Sequence, residues 1–269
     1  MPAKGTPYLD RRPDPADQLR LFCFHHAGGG AASFTGWREA LGPAVAVYPV
    51  QLPGRERRAG EARITDITRL VDELDRQVGP WLDRPYAFYG HSLGALAGYA
   101  LAQRRLARGH PAPARLIAGA YPGPALAAPL SAVPELDDET LAALLVDIGG
   151  MSEIVRRYPA WAAAAIALLR DDLQICHSYR APAVDRRVPC PIDVCTGVSD
   201  PLVSRADAAA WAAHTTGPCE VHVLPGGHLF LMESRERLLS VVGGLLSGPA
   251  VLTAPTRGPG GATEGGAGG

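Results

Sequence analysis

Five residues, Gly90-His91-Ser92-Leu93-Gly94, stand between a short apolar run and a segment of helical character. The run before them, Tyr86-Ala87-Phe88-Tyr89, reads as a strand, and Leu93 to Arg108 reads as a helix. A strand that turns straight into a helix through G-x-S-x-G constrains this chain more than any other feature. Such a turn is tight, so its flanks must be small, and Gly90 and Gly94 meet that demand. Ser92 then stands at a helix N-terminus, where free N–H groups and the helix dipole favour developing negative charge. It is the candidate nucleophile. The plainer alternative is a serine that caps a helix after a strand.

The alternation continues along the chain. Arg20 to His26 and Ala44 to Val50 read as strands closed by glycine or proline. Ile64 to Val78 places Ile67, Leu70, Val71, Leu74 and Val78 at helical spacing. Arg115 to Ala120, Pro191 to Thr196 and Val221 to Leu224 are further strands, and helices follow from about Ser204 to His214 and from Leu229 to Leu246. Strands alternating with helices imply an α/β fold, with a mostly parallel central sheet and helices on both faces.

Between Pro122 and Val188 the alternation lapses. That stretch offers helices from about Asp138 to Ile148 and from about Ala160 to Tyr179, and no strand. A helical insertion between core strands is expected to form a lid over one end of the sheet; extra helices without a gating role are the alternative. The expected organisation is a polar N-terminal extension over 1–18, one domain over 19–248 with its lid at about 122–188, and a Gly/Pro-rich tail over 249–269. The tail has too little apolar bulk to offset its ordering entropy and is expected to be disordered.

Composition closes off several functions. Charged residues make up 20% and the net charge is -1, which gives no electrostatic footprint for nucleic acid or for a polybasic membrane anchor. No apolar run reaches the ~18 residues a membrane helix needs. Met1 to Arg20 lacks the apolar core of a secretory signal, so a cytoplasmic protein is expected. The five cysteines (Cys23, Cys176, Cys190, Cys195 and Cys219) form no C-x-x-C. Their odd number points to free thiols rather than a disulfide framework or a zinc site. No metal and no cofactor of the protein's own is expected. All basic residues except Lys4 are arginine, a skew that GC-rich codons explain as well as function does.

A serine hydroxyl is a weak nucleophile and needs a base, oriented by an acid. Elbow enzymes carry these in the order Ser, Asp or Glu, His. Of eight histidines, His228 lies late in the chain in a glycine-flanked loop just after a strand. His222 lies inside that strand and His214 ends a helix. Asp200 follows the strand that ends near Thr196 and precedes Pro201, which favours an extended loop, whereas Asp193 lies within the strand. Ser92, Asp200 and His228 are therefore the candidate catalytic set. The oxyanion donors are expected to be the main-chain N–H groups of Leu93 and of Ala27, in the His26-Ala27-Gly28-Gly29-Gly30 loop after the first strand. A phosphate-binding reading of that loop lacks both G-x-G-x-x-G and the lysine it requires.

Phe24-His25-His26-Ala27-Gly28-Gly29, Gln51-Leu52-Pro53-Gly54-Arg55-Glu56, the elbow, Gly197-Val198-Ser199-Asp200-Pro201 and Gly226-Gly227-His228 together resemble the stand-alone type II thioesterases of polyketide and nonribosomal peptide synthesis. The resemblance spans about Leu19 to Leu246. It implies an α/β-hydrolase fold and hydrolysis of acyl groups from the phosphopantetheine arm of acyl or peptidyl carrier proteins, which clears stalled synthases. It also implies that Leu136 to Gly150 is a lid helix ending in Gly-Gly. Two departures concern the lid and the acyl site: Cys176-His177-Ser178-Tyr179 lacks the family's usual Glu, and His25-His26 is doubled. Carrier proteins are commonly acidic, so Arg55, Arg57 and Arg58, or Arg156 and Arg157, are candidate docking residues; solvated arginines are the plainer reading. A monomer is expected. The rival functions are an esterase of free small esters, an acyltransferase using the same acyl-serine, and a non-catalytic carrier-binding protein.

Overall fold

The computed structural model describes residues 5–128, 130, 136–149, 157–181 and 187–248. Six strands form one sheet: β1 (Leu19–Phe24), β2 (Val45–Val50), β3 (Tyr86–His91), β4 (Arg115–Gly119), β5 (Ile192–Gly197) and β6 (Cys219–Leu224). Their order is β2-β1-β3-β4-β5-β6, and every pairing is parallel. The chain leaves β1 for β2 on one side and returns to β3 on the other. That reversal leaves a crevice at the carboxyl ends of β1 and β3, the place where open parallel sheets bind ligands. Phe24 and Gly90 are partners there, so the loop after β1 and the elbow after β3 start side by side.

Both faces of the sheet are covered, and β1 shows how. Leu19, Leu21 and Cys23 belong to one apolar cluster, with Trp37 of α1 (Trp37–Leu41) and Leu238 and Val242 of the last helix. Phe22 and Phe24, one residue out of phase, belong to the other, with Leu70 and Leu74 of α2 (Ile67–Gln77) and the buried side of α3 (Leu93–Ala107). The helix expected from Ile64 begins at Ile67, because Asp66 keeps extended backbone and its carboxylate accepts the Arg69 N–H at 2.9 Å.

The inserted segment adds α4 (Asp138–Asp147) and α5 (Pro159–Ser178). Their apolar faces make a small core of their own, with Leu141, Leu145, Ile148, Ile166, Leu169 and Leu173, and it packs on Ala27 and Leu202 of the loops above the sheet. Asp137 caps α4 by accepting the Thr140 N–H at 2.7 Å. Gly150, Arg156 and the 249–269 tail lie outside the described residues.

Two C-terminal expectations change. The segment from Ser204 to His214 is a five-residue helix, α6 (Arg205–Ala209), opened by a Ser204–Asp207 capping box and followed by a 3-10 turn. The single helix expected from Leu229 to Leu246 is two, α7 (Phe230–Glu233) and α8 (Arg235–Leu246). The break at Ser234 lets Phe230 and Leu231 reach the core under the His228 loop, while Leu238, Val242 and Leu246 bury a different stripe.

Candidate active site

Ser92 occupies a strained backbone, φ 52 and ψ -117, which a non-glycine residue holds only when its surroundings dictate it. The surroundings do. Its N–H donates to the Gly119 carbonyl at 2.7 Å. A Cβ on Gly90 would overlap the Gly94 carbonyl, and one on Gly94 would overlap the Phe24 carbonyl. Both glycines of the motif are therefore set by backbone closing in from opposite sides.

The structure brings Ser92, His228 and Asp200 into one hydrogen-bonded chain. The Ser92 Oγ is 3.3 Å from His228 Nε2, and His228 Nδ1 is 3.0 Å from Asp200 Oδ2. The Asp200 side chain has no exposure and that of His228 only 6%. Asp200 Oδ1 also accepts the Leu202 N–H at 2.8 Å and the Val203 N–H at 3.2 Å, which fixes the carboxylate plane. A carboxylate can only accept, so His228 Nδ1 carries the proton and Nε2 is free to receive one from Ser92.

His91, the variable residue of the motif, has a place that sequence reading did not foresee. Its Nε2 lies 2.8 Å from the His228 carbonyl, and its Nδ1 lies 3.1 Å from the Tyr89 hydroxyl. The carbonyl accepts, so Nε2 carries the proton and Nδ1 takes the tyrosine O–H. Burial holds the His91 imidazole well below its usual pKa, and it stays neutral in this role. His25 and His26 are lowered to about 3, chiefly by burial, so the doubled pair adds no charge near the site at neutral pH.

The main-chain N–H groups of Leu93 and Ala27 find no protein acceptor among the described residues. Leu93 opens α3 and Ala27 follows β1, so both lie at the crevice between those elements. A pocket joins Ser92, His228 and Ala27 to an apolar chamber. Leu145 and Ile148 of the α4 segment, Leu169 and Leu173 of α5, Leu130 and Leu202 form its walls. The arrangement can attack a carbonyl carbon whose apolar substituent lies in the chamber.

Other candidates lie elsewhere, apart from Cys176, which lines the pocket. Asp193 pairs with Arg115 and accepts from His222 Nε2 at 2.8 Å. With Glu220 these form the one set of metal-type donors close together among the described residues, and none of the three lines the pocket. Cys23, Cys176, Cys190 and Cys195 are buried free thiols, raised in pKa by desolvation. The docking cluster is corrected. Arg55 is 5% exposed and locked to Asp172. Arg58 is 7% exposed, lies over the Tyr8 ring and pairs with Glu61. Only Arg57 of the three is exposed, and it donates to the Pro7 carbonyl at 2.9 Å. Burial of a charge depends on partners distant in sequence, which a local run of arginines does not reveal.

Residues 19–246 match the model of a thioesterase domain. The gramicidin S biosynthesis protein GrsT of Aneurinibacillus migulanus is 31% identical over 232 residues, 86% of this chain and 90% of that one. The thioesterase PikA5 of Streptomyces venezuelae is 31% identical over 81% of this chain and 78% of its own. Among solved structures, the RedJ thioesterase of the prodiginine pathway in Streptomyces coelicolor superposes with a TM-score of 0.80 at 35% identity, covering 91% of this chain and 89% of that one. The type II thioesterase BorB of the borrelidin cluster gives 0.79 at 31%, covering 91% and 99%.

Proposed function

The chain belongs to the thioesterase-domain family, and from that premise we propose that it removes acyl groups from carrier proteins of a polyketide or nonribosomal peptide synthase, with Ser92, His228 and Asp200 as its catalytic set. It is a thioester hydrolase whose relatives include type II thioesterases of such pathways. The observation that carries the residue assignment is the continuous hydrogen-bonded chain from Asp200 through His228 to Ser92 at the mouth of an apolar chamber.

His228 Nε2 takes the Ser92 proton as Oγ attacks the thioester carbon. The carbonyl oxygen becomes an oxyanion held by the Leu93 and Ala27 N–H groups. The C–S bond then breaks, and His228 returns the proton to the departing thiolate. Water next attacks the acyl-serine while His228 takes a proton from it. Collapse releases the carboxylic acid, and the proton goes back to Ser92 Oγ. The substrate brings the phosphopantetheine arm; the protein supplies only side chains and main-chain donors. The helices α4 and α5 act as a lid over the acyl group, since their apolar faces roof the chamber.

Nothing in the comparisons favours free small esters as substrates, or acyl transfer to an alcohol or amine. Ser92→Ala is expected to abolish release of acid from an acyl-loaded carrier protein, followed by intact-mass spectrometry of the carrier. Wild-type release by that variant would overturn the assignment. A rate on free pantetheine thioesters equal to that on the carrier would remove the carrier from the proposal.

A further inference from the structure

Helix α5 sends one carboxylate to the loop after β1. Asp172 is fully buried, and both its oxygens are engaged. Oδ1 accepts Arg55 Nη2 at 2.7 Å, while Oδ2 accepts Arg55 Nη1 at 2.6 Å and the main-chain N–H of Gly28 at 2.8 Å. Arg55 Nη1 also reaches the Gly29 carbonyl at 3.3 Å, and Nε the Pro53 carbonyl at 3.3 Å. A fork of this kind is directional, and the charge strengthens each hydrogen bond in it.

Gly28 is the residue after Ala27. Holding the Gly28 N–H fixes the plane of the peptide that joins them, and the Ala27 N–H lies one residue earlier. Gly28 sits at φ +77, a conformation that favours glycine, so the turn depends on outside contacts to keep its shape. Helix α5 supplies a second one: Leu169 lies 3.8 Å from where a Cβ on Gly28 would stand. Ala27 itself packs against the small core of α4 and α5.

Charge balance fits the same role. A lone carboxylate behind an oxyanion hole would repel the developing negative charge. Arg55 cancels it, so Asp172 can hold the loop without opposing the reaction.

We propose that Asp172 is a positioning residue for the Ala27 oxyanion donor, so that the hole is assembled only while α5 is docked on the sheet. This rests on the reading of Ser92, Leu93 and Ala27 given above. Preorganisation is what gives such donors their effect, and a misplacement of about 1 Å costs about 100-fold.

The test uses the full chain, an acyl-pantetheine thioester and an alkyl boronic acid, which forms a tetrahedral adduct on a serine. Asp172→Asn is expected to lower kcat about 50-fold with KM within about twofold of wild type, and to weaken boronic acid binding by the same factor as kcat. The double variant Arg55→Leu with Asp172→Leu removes both buried charges, and it is expected to fold and to remain as slow. A purely structural pair predicts the opposite, with wild-type kcat and boronic acid affinity in the double variant and losses confined to the melting temperature; that result would overturn the proposal. If the double variant does not fold, Asp172→Asn decides alone by the same two readouts. Ser92→Ala separates the two levels of argument. It should abolish turnover and boronic acid binding, and if it does not, the reading of the site falls and this inference with it.

Discussion

His91 Nε2 donates to the main-chain carbonyl of His228 at 2.8 Å, although 137 residues separate them. The elbow that presents Ser92 therefore also holds the loop that presents His228. That carbonyl fixes which ring nitrogen carries the proton, and the Tyr89 hydroxyl, two residues back on the same strand, donates to the other.

Loss of that contact should be felt at the base rather than at the substrate. His91→Phe keeps the ring but leaves the His228 carbonyl without its donor. We expect kcat to fall by about tenfold, the net worth of one buried hydrogen bond, with little change in KM. Steady-state kinetics beside a thermal melt will separate this from general destabilisation.

Asp200→Asn should be far more damaging. The amide oxygen can keep the Leu202 and Val203 N–H groups, so the loop stays in place. The NH2 group then faces His228 Nδ1 and forces the proton to Nε2, where it blocks acceptance from Ser92. The expected loss in kcat is about 10⁴-fold with an unchanged fold, read from turnover and far-ultraviolet circular dichroism.

Buried neutral histidines predict an acid-sensitive fold. His25 is lowered to about 3 by burial and then by Arg55. Unfolded, it would titrate near 6.5. Between those values the unfolded chain binds the extra proton, so stability is full above about pH 6.5 and falls as the pH drops toward 3. His25 alone should remove about 2 kcal/mol between pH 6.5 and 5. Denaturant melts at both pH values check this, and His25→Gln should shrink the difference by that amount.

The chamber should read acyl length. Leu145 is buried on α4 and faces the pocket. Leu145→Trp fills part of the space, and each methylene shut out costs about 0.8 kcal/mol, or about fourfold in kcat/KM. A series of acyl thioesters should show unchanged rates for the shortest groups and a steep fall for longer ones. A uniform fall across the series would show that the acyl chain lies elsewhere.

Much of this fold lies in local patterns. The strands, the elbow and the order Ser92, Asp200, His228 come from apolar runs, glycines and loop positions that short windows of sequence contain. The break at Ser234 does not, because the helical period runs through it, and the burial of Phe230 and Leu231 and the bond from the Gly227 N–H to Glu233 exist only in the folded chain. The bond between Arg55 and Asp172 spans 117 residues, and nothing near Arg55 in sequence points to its partner. For the same reason Arg55 reads as a surface charge in sequence, whereas it is 5% exposed.

The pocket draws its parts from two sources. Ser92, Ala27, Leu202 and His228 stand on loops and helix ends of the sheet, while Leu145, Ile148, Leu169 and Leu173 come from the segment between β4 and β5. The hydrogen-bonded chain and most of the chamber wall thus stand on separate stretches of chain. Replacing the inserted stretch would change the chamber while leaving Ser92, Asp200 and His228 on the sheet. An exchanged segment must bring an acid to the place of Asp172, or it would arrive with a new chamber and a disarmed catalyst.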